Sequence, residues 1–314
     1  MGKYVFGVDV GGTTVKIGLF NKDGNVLEKW EIPTRTEDKG AHVLPDIAES
    51  IQNKIAEKQL DRAEVMGIGI GVPGPVDSAS VCHGAVNLGW DDVNIAKELY
   101  ELTGLSSVAA NDANVAALGE MWKGGGQGYS SLVAVTLGTG VGGGIVVEGK
   151  LLAGYSGSGG EIGHMHVLDE EEEACGCGNF GCLEQYSSAT GVVTLAKRAL
   201  KNNTKPTVLK ESELTAKAVF DAAKDGDELA LEVVKKFGEV LGKGLALIAC
   251  VVNPEVFVIG GGVSKAGPML FDYIRPSFEK YVFPGSLGTK FTLATLGNDA
   301  GIFGAAKLIL DQAD

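Results

Sequence analysis

Tyr4-Val5-Phe6-Gly7-Val8-Asp9-Val10-Gly11-Gly12-Thr13-Thr14-Val15-Lys16-Ile17-Gly18-Leu19-Phe20 is the stretch on which the fold turns. Tyr4 to Asp9 alternate as a strand. A glycine-threonine turn follows, then a second apolar run, a turn at Lys22-Asp23-Gly24-Asn25, and a third strand from Val26 to Ile32. Strand, turn, strand, turn, strand is the start of a β-meander. Glycine permits the tight turn, and its exposed backbone N–H groups, with the hydroxyls of Thr13 and Thr14, can cradle a phosphate. A plain hairpin turn fits the same residues. The Walker pattern, Gly-x-x-x-x-Gly-Lys-Ser/Thr, is absent from this turn.

The plan recurs. Val133-Ala134-Val135-Thr136-Leu137-Gly138-Thr139-Gly140-Val141 leads through glycines into Ile145-Val146-Val147 and a turn at Glu148-Gly149-Lys150. Gly11 corresponds to Gly138, and Asp9 to Thr136. An internal echo of this kind suggests a duplicated unit. Two phosphate-type hairpins, one per domain, would face a common cleft. Gly138 to Gly143 and Gly69 to Gly74 also match the dinucleotide glycine pattern. The first opens a strand rather than a helix and the second contains Pro73, so neither supplies the required strand-then-helix context.

Between the hairpins the pattern is α/β. Ala41 to Lys58 places Leu44, Ile47, Ile51 and Ile55 on one helical face. Val65 to Gly71 reads as a buried strand ending in a rigid Val72-Pro73-Gly74-Pro75 loop. Asn94 is placed to cap a helix. Val108-Ala109-Ala110 is a short strand running into Asn111-Asp112-Ala113-Asn114, which opens a helix. Asp112 by itself reads as an N-cap. A carboxylate at a strand end between two phosphate turns is also where a general base for phosphoryl transfer belongs.

Glu161-Ile162-Gly163-His164 and Cys175-Gly176-Cys177-Gly178-Asn179-Phe180-Gly181-Cys182-Leu183-Glu184 hold three cysteines within eight residues and a histidine upstream. His164, Cys175, Cys177 and Cys182 form a Cys3His set, which suits a closed, structural Zn²⁺ site. His166 could replace His164. Reduced structural cysteines or a disulfide are the other readings; with five cysteines in the chain the count is odd, and Cys82 and Cys250 lie far away. A zinc-stapled loop would hold Glu161 and Glu184 together, presenting carboxylates to a polar ligand. The run Asp169 to Glu173 reads as a solvated loop.

The remainder is largely helical. Thr190 to Leu200 and Thr215 to Ala223 are modest helices, and Glu228 to Val252 is a long one ended by Pro254. Val256 to Ile259 is a strand entering Gly260-Gly261-Gly262, a third glycine turn that suits adenine or ribose. Phe291 to Leu296 is another strand, and Ala300 to Asp314 a terminal helix. The 314 residues are enough for two domains. A formal net charge of −13 argues against a general nucleic-acid or anionic-membrane surface. The N-terminal apolar run is too short for a signal peptide, no window suits a membrane span, and free cysteines fit the cytoplasm.

Taken together, Asp9 to Thr14, Gly71-Val72-Pro73-Gly74, Asn111 to Asn114, Leu137 to Gly140, Glu161 to His164 and Cys175 to Glu184 resemble the ROK family of bacterial sugar kinases and repressors. The likeness covers essentially the whole chain and is strongest to the glucokinases of Gram-positive bacteria. It implies an α/β, actin-like ATPase (ribonuclease H-like) fold of two α/β domains with a cleft. The smaller domain is expected at 1–110 plus 298–314, and a larger one, with the zinc loop and most sugar contacts, at 111–297. It implies ATP-dependent phosphorylation of glucose, or of another hexose, at the 6-hydroxyl. Asp112 resembles the general base, and Gly74, Asn111, Asp112, Glu161, His164 and Glu184 the sugar ligands. Gly11, Gly12, Thr13, Thr14, Gly138, Thr139, Gly140, Gly261 and Gly262 resemble the nucleotide contacts, with Asp9 near Mg²⁺. A homodimer or homotetramer is the family expectation.

Three other functions compete. A sugar-sensing regulator would bind DNA, which the acidic charge disfavours, and the first phosphate strand already starts at Tyr4. A zinc hydrolase needs an open metal position, which Cys3His denies. An actin-like assembly ATPase has no need of the glutamates flanking the zinc loop.

Overall fold

The computed structural model describes residues 2–201 and 203–312. Contacts divide the chain into two units: residues 1–130, 144–160 and 296–314 form one, and 131–143 with 161–295 the other.

The first unit is built on β1 (Tyr4–Val10), β2 (Thr14–Asn21), β3 (Val26–Pro33), the short α1 (Glu37–Gly40), α2 (Val43–Glu57) and β4 (Val65–Val72). The hairpin β5 (Val81–Ala85) and β6 (Trp90–Asn94) follows, then α3 (Ile95–Thr103), β7 (Ser107–Asn111) and α4 (Asp112–Lys123). Its main sheet has the order β3-β2-β1-β4-β7. β1 pairs antiparallel with β2, from Tyr4 opposite Asn21 to Val10 opposite Val15, and parallel with β4. Alternation sorts the side chains by face. Phe6, Val8, Ile17, Leu19, Ile68 and Ile70 share a core with Ile47 and Ile51 of α2 and Leu99 of α3. Val5 and Phe20 point the other way.

In the second unit the chain runs through β8 (Leu132–Leu137) and β9 (Val141–Val147), which carries it back into the first unit, and β10 (Lys150–Leu151). Then come α5 (Glu184–Ser187), α6 (Ala189–Lys201), α7 (Ala216–Lys224), α8 (Glu228–Val252), β11 (Val256–Gly260), α9 (Met269–Tyr281), β12 (Lys290–Leu293) and α10 (Ala300–Leu310), the last belonging to the first unit. The second sheet has the order β10-β9-β8-β11-β12. A meander of three strands followed by two parallel strands thus occurs twice, which is the duplication the glycine turns announce. Phe237 and Leu241 of α8 and Phe278 of α9 are buried with Val133, Val135, Phe257 and Ile259 of this sheet.

The terminal helix returns to the first sheet by close backbone approach. α10 lies on β1 and β4 where Gly7 and Gly69 remove the side chains; a Cβ at Gly69 would sit 1.7 Å from the Ala305 carbonyl oxygen. Ile302, Ala306 and Ile309 then reach Val5 and Phe20. Buried Glu120 of α4 secures this return: one carboxylate oxygen accepts from Leu296 N at 2.9 Å and the other from Gly125 N at 2.8 Å.

These contacts explain where the division departs from the sequence-based boundaries. Residues 111–130 go with the first unit because α4 packs on α10, where a Cβ at Gly304 would lie 1.5 Å from the Val115 carbonyl. Residues 144–160 and 296–297 also join it, so the first unit is not the smaller one. The last strand stops at Leu293 rather than Leu296, and Gly297–Asp299 form a 3-10 turn. The terminal helix ends at Leu310; residues 313 and 314 of that expectation lie outside the described residues. No helix among the described residues is long and apolar enough to cross a membrane.

Candidate active site

In the first unit the β1–β2 turn closes with Gly11 N donating to the Thr14 carbonyl at 3.0 Å. Gly11, Gly12 and Thr13 are exposed. Thr34, which no sequence motif marks, fastens the turn from outside: its hydroxyl donates to the Gly11 carbonyl at 2.7 Å and its N–H to that of Thr13 at 3.0 Å.

Asp9 lies one residue before the end of β1 with its carboxylate against the start of α10; a Cβ at Gly301 would lie 2.5 Å from Asp9 Oδ2. Burial first, and then the negative charge of Asp112, push the Asp9 carboxyl up to about 6, with Lys16 opposing. Burial likewise holds Asp112 above the usual carboxylate range, while the Ala113 N–H and the Asn111 side chain pull it back.

Asp112 is not the helix cap. Asn111 takes that role, with extended backbone and Oδ1 accepting from Ala113 N at 2.9 Å and Asn114 N at 3.2 Å. The other end of the same amide donates to the Gly74 carbonyl at 3.1 Å. Three of the predicted sugar residues, Gly74, Asn111 and Asp112, are therefore joined through one side chain. Freed from capping, Asp112 stands at the first helical position with one oxygen 2.8 Å from Ala113 N.

In the second unit the turn after β8 closes one residue tighter, Gly138 N donating to the Gly140 carbonyl at 3.0 Å. Glu184 reaches it: Oε2 accepts from Val141 N at 2.9 Å. A Cβ at Gly140 would fall 2.0 Å from that oxygen, so glycine is what admits the carboxylate. Thr139, Gly140, Cys175, Glu184 and Arg198 line a cavity of about 410 Å³. Gly262 lines a separate one of about 270 Å³ with Ala189, Phe220, Val263 and Ala266. Gly261 packs instead under β8, at φ +82°, where its Cβ position is 2.5 Å from the Leu137 carbonyl oxygen.

His164, Cys175, Cys177 and Cys182 bring one ligand atom each to within 4.8 Å of the others. Cys177 Sγ and Cys182 Sγ are 3.7 Å apart, as are Cys175 Sγ and His164 Nδ1. Bonds of about 2.3 Å to a tetrahedral Zn²⁺ separate sulfur ligands by about 3.8 Å, so this donor set fits zinc. Burial first, and then the two neighbouring thiols, push Cys182 up to about 12, a penalty that a dication among the sulfurs would reverse. His166 is engaged elsewhere, its ring nitrogens 2.8 Å from the Phe180 carbonyl and 2.7 Å from Asp169. With Nδ1 on the sulfur side, His164 turns Nε2 toward Glu161, 3.9 Å away.

The acidic run after His166 is not wholly a solvated loop. Glu171 is buried, accepting from Arg198 Nη1 and Nη2 at 2.8 Å each and from the Tyr186 hydroxyl. Arg198 therefore holds its carboxyl far below the usual range, at about 2. A charge run hides such a member because nothing in its composition marks which glutamate meets a distant arginine.

The chain is similar to known proteins along its whole length. The chain is 44% identical to a glucokinase of Halalkalibacterium halodurans over 99% of its own length and 96% of that protein's. It is 38% identical to a glucokinase of Thermotoga maritima over 98% of each chain. A ROK family glucokinase from Streptomyces griseus, crystallised with glucose and AMPPNP, superposes with a TM-score of 0.72 at 33% identity, covering 97% of this chain and 98% of that one. The ROK family pattern itself matches residues 5–312. With two copies of the same five-stranded plan, a glycine turn at the head of each, and this likeness from end to end, the chain belongs to the ROK family.

Proposed function

We propose that this chain is a glucokinase, transferring the γ-phosphoryl group of ATP to the 6-hydroxyl of glucose. Asp112 carries the reading: a half-buried carboxylate, released from capping by Asn111, just past the end of a strand in a chain with full-length likeness to glucokinases. It accepts the proton of the 6-hydroxyl as the phosphoryl group moves. Its raised pKa brings its basicity nearer the operating pH. Gly74, Asn111, Glu161, His164 and Glu184 contact the other hydroxyls, and His164 can serve both metal and sugar because it has two ring nitrogens. The turns at Gly11 to Thr14 and Gly138 to Gly140 hold the phosphates, and the cavity beside Gly262, walled by Phe220 and Val263, suits adenine. Magnesium, arriving with the nucleotide, would neutralise phosphate charge, and Asp9 is the carboxylate placed to face it. The zinc set would be structural. A cytoplasmic location is part of this reading, supported by the five unpaired cysteines.

A coupled assay over a panel of hexoses with ATP and magnesium tests the substrate. Glucose is expected to give the highest kcat/KM; a better rate with mannose, fructose, allose or N-acetylmannosamine reassigns it, and no product with any hexose removes the kinase reading.

Asp9 predicts the pH response. Its folded-state pKa, about 6, lies above the ordinary aspartate value of 3.8, so the folded state binds this proton more tightly than the unfolded chain. That stabilisation is full below the unfolded value and lost as pH rises through about 6. Asp9→Asn is thus expected to raise Tm at pH 7.5 and to leave it unchanged at pH 4. In the wild type, kcat/KM for ATP should fall below about pH 6, and more magnesium should move that limb to lower pH. An acid limb indifferent to magnesium contradicts the assignment of Asp9.

The active form is a homodimer or homotetramer. Leu247 and Val251 on α8 are exposed, as are Tyr281 at the end of α9 and Phe283 and Leu287 beyond it. α8 and α9 lie side by side, Gly242 against Ser277, and the Ser286 hydroxyl donates to Asn253 Oδ1 at 2.8 Å, which gathers these side chains at one end of the pair. Together they expose on the order of 500 Å² of apolar surface, enough for the centre of a self-complementary interface of about 800 Å² per partner. Val251→Glu should lower the mass measured by light scattering to that of one chain; an unchanged mass places the interface elsewhere.

A further inference from the structure

Glu184 begins a helix of only four residues, α5, which has no side-chain cap. One turn cannot hold its own orientation in water. The two residues after Glu184 are nevertheless both tied to the acidic loop. The Tyr186 hydroxyl donates to Glu171 Oε2. The Gln185 amide donates to the Glu173 carbonyl at 2.7 Å and accepts from Cys182 N at 3.0 Å. Glu171 in turn is clamped by both Nη atoms of Arg198 on α6, and its carboxylate also receives Glu173 N at 3.0 Å. Its side chain is 2% exposed, against 38% for Arg198. All of these residues belong to the second unit.

We propose that the Glu171–Arg198 pair is a positioning device for Glu184: through Tyr186 and Gln185 it sets the direction of α5 and so the place of the sugar-binding carboxylate. This inference rests on the kinase reading above. A buried ion pair adds little net stability over apolar side chains of similar volume, but its hydrogen bonds have fixed directions. The pair can therefore be removed with little change in folding, while the aim of α5 is lost.

The test uses Glu171→Gln, the double variant Glu171→Met with Arg198→Met, and Tyr186→Phe. Each is assayed on the hexose the wild type uses best, with Tm measured alongside. The double variant is expected to keep a Tm within a few degrees of wild type and to raise KM for the sugar about tenfold, leaving kcat and KM for ATP within about threefold. Glu171→Gln should shift the same constant in the same direction. Tyr186→Phe, which deletes a single hydroxyl and folds most safely, should raise sugar KM about threefold. An unchanged sugar KM in Tyr186→Phe and in whichever ion-pair variants fold overturns the proposal, as does an equal loss for sugar and ATP. A wild type that phosphorylates no hexose overturns the kinase reading itself; a working kinase whose variants keep their sugar KM overturns only this inference.

Discussion

Asp112→Asn is expected to fold normally, bind sugar with near wild-type affinity and lose about 10²–10⁴-fold in kcat. The fold should survive because the helix start does not depend on this carboxylate. Asn111 supplies the cap, with bonds to Ala113 N and Asn114 N, and an asparagine amide oxygen at 112 can still receive Ala113 N–H. The substitution also removes one of the charges that raise Asp9, so stability at neutral pH should not fall. What is lost is the ability to take a proton. An amide does not become basic when the hydroxyl attacks, and positioning alone then carries the reaction. Sugar affinity from calorimetry and kcat from the coupled assay separate the two contributions. Turnover within a few-fold of wild type would remove Asp112 from the role of base.

Legibility followed the range of the interaction that decides each feature. β1 and β2 announce themselves because alternation and the Gly11 turn are local, and the second hairpin repeats them closely enough to reveal a duplication. The long helix Glu228–Val252 is read to the residue, since an apolar stripe and Pro254 as stop agree; the structure adds Asp227 as its cap. α9 is obscured by Pro276 inside it, and the β5–β6 hairpin by residues of weak strand preference such as Gly84, Asp91 and Asp92. The contact division differs from the expected boundaries because it depends on α4 meeting α10, residues nearly two hundred positions apart, through glycines whose role shows only when the helices cross. At the site, local motifs disclose the two glycine turns and the Cys3His cluster. The exchange of capping between Asp112 and Asn111 is a matter of one residue, below what a pattern resolves. Glu171 is hidden for the opposite reason: its partner is 27 residues away on α6, and its neighbours carry the same charge.

Stripping the metal, or replacing Cys182 by Ser, is expected to lower kcat/KM for the sugar by at least about 100-fold while nucleotide binding persists. Purified wild type should contain close to one zinc per chain. A structural Cys3His site contributes on the order of 10 kcal/mol to the conformation it organises at neutral pH, so its loss cannot be absorbed locally. Between His164 and Glu184 regular structure is sparse: two isolated bridges, Ala174 with Phe180 and His166 with Cys182, and turn bonds such as Cys175 N to the Asn179 carbonyl at 2.7 Å, with the Glu171 clamp to Arg198 and Tyr186 as the main side-chain anchor outside the cysteines. Cys182 is the sharper substitution because it is fully buried and its N–H is bound to Gln185, beside Glu184, whereas Cys177 is exposed. Serine there forfeits a thiolate and leaves a hydroxyl among sulfurs. Losing the staple should release His164 and the start of α5 together, which raises sugar KM, and should expose residues 165–181 to proteolysis. The cavity beside Gly262 is lined mainly by residues of α7 and the turn after β11; Ala189 at the start of α6 is its one member near the cysteines in sequence, and no cysteine lines it, so ATP affinity should hold. Zinc analysis, limited proteolysis and kinetics for both substrates read this out. A wild type that is fully folded and active after chelation, with metal content near zero, would show that the four donors are no more than a cluster of reduced thiols beside a histidine.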